Sequence, residues 1–136
     1  MIQTRRDAHG IAFHVSCHSM ASVARNVSKD AGAQRSDFDS VDGYGKTCDA
    51  AFVEAAVECL TGLGYNVTVN KHFAGAESIH KHGDPKVGVY SLQIEARRGL
   101  YMDEATYAKR TAFEKVRSDL GTLCGALAAF ARSAAA

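Results

Sequence analysis

The chain has 136 residues, 46% hydrophobic and 23% charged, which is enough for about one domain with a genuine core. Lys and Arg total 16 against 15 Asp and Glu, a net charge of +1, and no basic run is interleaved with aromatics, so a nucleic-acid partner is not expected. The most apolar stretch, Leu123 to Ala131, falls short of the roughly 20 residues of a membrane span, and Met1–Asp7 lacks the apolar core of a signal peptide.

In chain order, Gly10 precedes a short strand-like run, Ile11 to Ser16, which ends at Cys17-His18-Ser19-Met20. Residues 24 to 47 are polar and rich in Gly, Ser and Asp, and read mainly as loop, with a turn at Val41–Gly45 where glycine suits positive φ. A helix is predicted from about Asp49 to Leu63, because Phe52, Ala55, Ala56, Cys59, Leu60 and Leu63 recur at helical spacing. Asp49 or Thr47 can cap its start, and Gly62 and Gly64 supply its stop. Tyr65–Val69 reads as a strand of alternating β-branched residues.

Residues 70 to 87 read as a second loop, crowded with His72, Glu77, His80 and His82 and closed by Pro85. Gly88 to Glu95 is the next strand, and from about Asp103 a long helix carries the stripe Phe113, Val116, Leu120, Leu123, Leu127 and Phe130, expected to face the core. Strands alternating with helices favour an α/β layer with a mostly parallel sheet. Cys17, Cys48, Cys59 and Cys124 lie far apart without a CxxC pair, so they read as reduced thiols of a cytoplasmic protein, acting as small buried apolar residues.

In open α/β sheets, sites gather beyond the carboxyl ends of strands. His18 lies just after the first strand, Asn70 to His82 follow the second, and Glu95 and Arg98 finish the third, so one convergent site is expected. Glu95 alternates with apolar Leu92 and Ile94, and a carboxylate there is expensive to desolvate unless something charged meets it. It is a candidate for proton transfer, with a structural ion pair to Arg97 or Arg98 as the plainer alternative. His80-x-His82 could be read as a metal pair, but on an irregular loop exposure is the simpler reading; His72 and Glu77 are cleft-lining or surface residues.

The blocks Cys17-His18-Ser19-Met20, Asp37-Phe38 with Asp42 to Cys48, Phe73-Ala74-Gly75-Ala76-Glu77 with His82-Gly83-Asp84-Pro85, and Gly88 to Glu95 through Leu100–Glu104 occur in an order and spacing that resembles the N-formylglutamate amidohydrolase family. The resemblance runs over roughly residues 8 to 130. It implies a three-layer, zinc-carboxypeptidase-like (phosphorylase/hydrolase-like) α/β fold, here its C-terminal portion, with residues 1–136 as a single partial domain. It further implies zinc-dependent hydrolysis of N-formyl-L-glutamate, or a related N-acyl amino acid, to formate and the amino acid, and a place in histidine breakdown. By position His18 resembles a metal ligand, Glu95 the general acid/base and Arg98 an anchor for a substrate carboxylate; Asn70 and Glu77 join Arg98 as substrate-binding candidates.

Arg97, Ala76 and Ala21 depart from the residues usual in the family, and two further departures bear on the metal site. Ser16 stands where an aspartate is usual two places before the ligand histidine, which bears on the support of that imidazole. The other two metal ligands belong to a half that precedes the Cys-His-Ser-Met block; before His18 this chain holds His9 and His14 but no Glu, the first being Glu54. The resemblance therefore leaves three expectations open: an active hydrolase, a site completed by an N-terminal half on another chain, or a non-catalytic remnant kept as an interaction domain.

Overall fold

The structure is a computed structural model that describes residues 1–136 with the exception of Val27 and Lys29. Its order is α1 (Ile2–His9), β1 (Ala12–Met20), β2 (Phe38–Val41), α2 (Ala50–Gly62), β3 (Val67–Val69), α3 (Glu77–His82), β4 (Val89–Arg97) and α4 (Phe113–Ala134), with single 3-10 turns at Pro85–Val87 and Arg98–Leu100. The four strands form one sheet in the order β1-β4-β2-β3. β1 and β4 run parallel, as do β2 and β3, while β4 and β2 are antiparallel. The sheet is thus mixed α/β and mostly parallel, as expected.

Period-two alternation decides which side chains meet. Phe13 and Val15 on β1, Leu92, Ile94 and Ala96 on β4, and Phe38 on β2 face one side, where they pack with Phe52 and Leu60 of α2 and Leu123 and Leu127 of α4. Four rings lock this layer: Phe13 lies 4.7 Å from Phe52, 5.0 Å from Tyr90 and 5.8 Å from Phe130, centroid to centroid. The opposite face carries His14, Ser16 and His18 in register with Ser91, Gln93 and Glu95, and is covered by α3 and the loop before it, with Ser78 Oγ 3.5 Å from Ser16 Oγ.

The helix predicted near 49–63 forms, with the Asp49 carboxylate accepting from the Ala51 N–H at 2.8 Å. Four expectations are corrected. The polar stretch 24–47 contains β2, wholly buried and central; within that stretch Val27 and Lys29 lie outside the described residues. The 70–87 loop contains α3, a six-residue helix too short for a readable periodicity, so His80 and His82 sit on helix.

The last helix begins ten residues later than Asp103. Asp103 instead closes a turn, its Oδ1 accepting from the N–H groups of Ala105 and Thr106, and the chain doubles back so that Arg110 N–H donates to Tyr101 O. Of the cysteines, Cys48 is buried, its thiol pushed up to about 12 chiefly by burial, whereas Cys17 and Cys124 are exposed. These two line an apolar groove between β1 and α4 together with Val15, Leu120 and Ala128. The stripe on α4 is therefore only partly covered.

Among the described residues no helix is long and apolar enough to cross a membrane. Phe52 is 1% exposed at the centre of the ring cluster. Phe52→Ala is expected to cost about 3–5 kcal/mol of stability, read as a shift of the urea midpoint.

Candidate active site

Glu95 and His18 are register partners on neighbouring parallel strands. The Glu95 side chain is 5% exposed and that of His18 41%, with His18 Nδ1 3.8 Å from Glu95 Oε1. Ser16, one pleat back on β1, places its hydroxyl 3.1 Å from His18 Nε2. A serine thus meets the imidazole from two places before it in the chain. Beside the pair a hollow of about 350 Å³ is walled by Ser19, Gln93 and the loop from Phe73 to Ala76.

Burial pushes the Glu95 carboxyl above its ordinary value of 4.5, and the nearby Asp39 carboxylate adds to this; the hydrogen bond from Gln93, His18 and Arg35 pull the other way. Gln93 Nε2 donates to Glu95 Oε1 at 2.7 Å. Neither arginine of the Arg97-Arg98 pair meets Glu95. Arg97 pairs with Asp37, and Arg98 Nε donates to Glu104 Oε1 at 3.4 Å.

The ionic network behind the loop was not legible in the sequence. Asp39, in register with Glu95 on β2, is fully buried and accepts from Thr68 Oγ1 at 2.7 Å, Lys71 N–H at 3.2 Å and His72 N–H at 2.9 Å. The Ser36 N–H donates to His72 Nε2, which assigns the ring proton to Nδ1, and this proton goes to Asp30 at 2.7 Å. Arg35 grips the same carboxylate through Nε and Nη2, and with His72 holds Asp30 at about 2 against its burial. The Arg35 guanidinium also lies 4.8 Å from the Phe73 ring centroid. His72 is therefore an internal brace, 3% exposed, and neither a cleft wall nor a surface residue.

The expected convergence of three strand ends holds for two of them. β4 runs antiparallel to β2, so the ends of β2 and β3 lie at the other side of the sheet from Glu95. Asn70 is used there as a turn brace, at φ 50, donating to Asp42 Oδ1 at 2.7 Å and accepting from the Asp42 N–H at 3.0 Å. The continuation of that loop, held by Asp39 at the N–H groups of Lys71 and His72, brings Phe73 to Ala76 to the hollow. Glu77 is exposed in the first turn of α3 and does not line it. Arg98 lies in a separate hollow with Ala21, Val23, Tyr107 and a second guanidinium, Arg25.

Zinc, which the resemblance implies, needs three or four N, O or S ligands. Among the described residues no three His, Cys, Asp or Glu side chains converge to hold a metal ion. His80 is engaged with Ala74 O at 3.1 Å, and His82 faces the His14 ring at 6.3 Å. His18 can offer one nitrogen, so the donors among the described residues do not fit a zinc site by themselves.

The sheet thus has one apolar face and one polar, buried face, and the polar face sets a desolvated carboxylate against a histidine on the edge strand. The family model for N-formylglutamate amidohydrolase matches residues 1–102, and the chain belongs to that family. It is similar to the N-formylglutamate amidohydrolase of Ralstonia eutropha JMP134, with TM-score 0.79 and 31% identity over 91% of this chain and 45% of that one. A gene product of Agrobacterium tumefaciens shares the fold at TM-score 0.63 and 18% identity, over 94% and 47%. The chain spans less than half the length of either. No curated protein matches.

Two outcomes are expected. Because the folded carboxyl of Glu95 titrates above its unfolded value, its contribution to stability is fully present below about pH 4.5 and lost as pH rises through the folded pKa. Glu95→Gln, whose amide oxygen can still accept from Gln93, should therefore be more stable than wild type at pH 7, with the difference vanishing near pH 4 in urea titrations. Residues 1–136 dialysed against zinc and then buffer should retain well under one zinc per chain by elemental analysis; one tightly held zinc would contradict the donor count.

Proposed function

We propose that this chain carries the acid/base side of an amide-hydrolysing site that cleaves N-formyl-L-glutamate, or a closely related N-acyl amino acid, to formate and the free amino acid. The observation that carries the reading is the His18–Glu95 register pair, a buried carboxylate against a half-open imidazole at the rim of one hollow. Family membership and the 31% identity to the Ralstonia enzyme support it.

In this reading Glu95 works as base and then acid. Gln93 occupies Oε1, and among the described residues Oε2 accepts no hydrogen bond, which leaves that oxygen for a water. The carboxylate takes a proton from the water as the water oxygen bonds to the amide carbon. It returns the proton to the nitrogen as the C–N bond breaks. A carboxyl raised by burial is both a stronger base and, once protonated, still acidic enough to do this near neutral pH.

Ser16 fixes the ring of His18. Arg98, with Arg25 beside it, would meet a substrate carboxylate by exchanging its contact with Glu104. The placement of Asn70 and Glu77 gives them no part in this scheme.

Zinc dependence belongs to the same reading with one condition: His18 supplies one nitrogen, and the remaining ligands come from a part of the family's fold outside residues 1–136, on this polypeptide or on another. The open edge of β1 and the apolar groove against α4 support an occupant on that side. A cytoplasmic location accords with it.

Formate release from N-formyl-L-glutamate tests the proposal, assayed with the chain alone and with the chain mixed with the portion of the Ralstonia enzyme that lies outside their 45% overlap. Turnover in the mixture, falling by at least about 100-fold in Glu95→Gln, is the expected result. Turnover retained in Glu95→Gln would remove Glu95 from the chemistry. Its absence from every mixture would favour the reading of a non-catalytic interaction domain.

A further inference from the structure

Gln93 is 2% exposed and stands one pleat before Glu95 on the same face of β4. Its two hydrogen bonds fix its amide without ambiguity. Oε1 accepts from the Ala76 N–H at 2.7 Å, and Nε2 donates to Glu95 Oε1 at 2.7 Å. Rotating the amide by half a turn would set oxygen against carboxylate and NH2 against N–H, so the arrangement has one polarity.

Ala76 ends the loop that walls the hollow and begins α3, with Ile79 N–H donating to its carbonyl. The loop itself has little freedom. A Cβ on Gly75, at φ 104, would come within 2.5 Å of Ile79 Cδ1, and the other end is held where His72 N–H meets Asp39.

We infer that Gln93 is a positioning residue that ties the backbone of the loop at Ala76 to the Glu95 carboxylate, so that the wall of the hollow and the base move as one unit. The inference rests on the reading of Glu95 as the base for its meaning, but not for its test. The loop is where a substrate's body would lie. A ligand that presses on residues 73–76 therefore acts on Glu95 through one side chain, and the amide donation keeps the carboxylate aimed.

The test is the carboxyl 13C titration of Glu95 in the full chain, compared among wild type, Gln93→Met and Ala76→Pro. Methionine keeps the volume and removes both polar contacts. Proline fits the Ala76 φ of −76° and puts a ring carbon where the N–H was, which removes the donor and displaces the Gln93 amide from it. Both variants should raise the Glu95 midpoint, Gln93→Met by roughly one unit, since a hydrogen bond to a charged group is lost, and both should unfold cooperatively.

A shift in Gln93→Met with none in Ala76→Pro would overturn the tie to the loop; no shift in either would overturn the role of Gln93 altogether. If Gln93→Met does not fold, Ala76→Pro decides alone. Failure of the hydrolytic reading shows elsewhere, as turnover that survives Glu95→Gln.

Discussion

Everything on the polar side of the sheet follows from one constraint: β4 is an interior strand, buried on both faces, yet one of its faces is Ser91, Gln93 and Glu95. A carboxylate withdrawn from water costs several kcal/mol unless donors replace the lost hydration. Gln93 supplies one bond and His18 a cation when protonated, while the loop at 73–76 and α3 close over the rest. The covering loop must itself be held, and Asp39, His72, Asp30 and Arg35 hold it, each buried polar group answered by another. Such networks are stable when complete and costly when broken, so the geometry around Glu95 is well defined.

The other face carries the stability that this arrangement draws on. The ring cluster of Phe13, Phe52, Tyr90 and Phe130 and the aliphatic contacts of α2 and α4 form a conventional apolar layer. Because β1 belongs to both faces, Phe13 and Val15 anchor in that layer and its even residues present His14, Ser16 and His18. The histidine at the rim is thereby placed by packing on the far side of its own strand. The same strand is the sheet edge, so the His18–Glu95 pair sits next to an open border with an apolar groove beside it.

The parts legible in the sequence were those with a long or regular signal. The period of α2, the alternation that set Glu95 among apolar neighbours, and the His18 and Glu95 blocks needed only local reading. β2 was hidden because Asp39 and Ser40 argue against a strand, and the contacts that make Asp39 tolerable come from Thr68, Lys71 and His72, some thirty residues away. The antiparallel step between β4 and β2 was equally invisible, and it is what sends Asn70 to the opposite end from the site. Gln93 did carry a signal, two residues before Glu95 on the same face, but its meaning depends on the Ala76 N–H, which no local window contains.

The central claim is that the fold holds the Glu95 carboxylate out of water in a state suited to moving protons. The most direct measurement is the midpoint of the Glu95 carboxyl in the wild-type chain by 13C titration. A value clearly above 4.5 is what the geometry predicts; a value at or below it would show a solvated or ion-paired carboxylate and contradict the account.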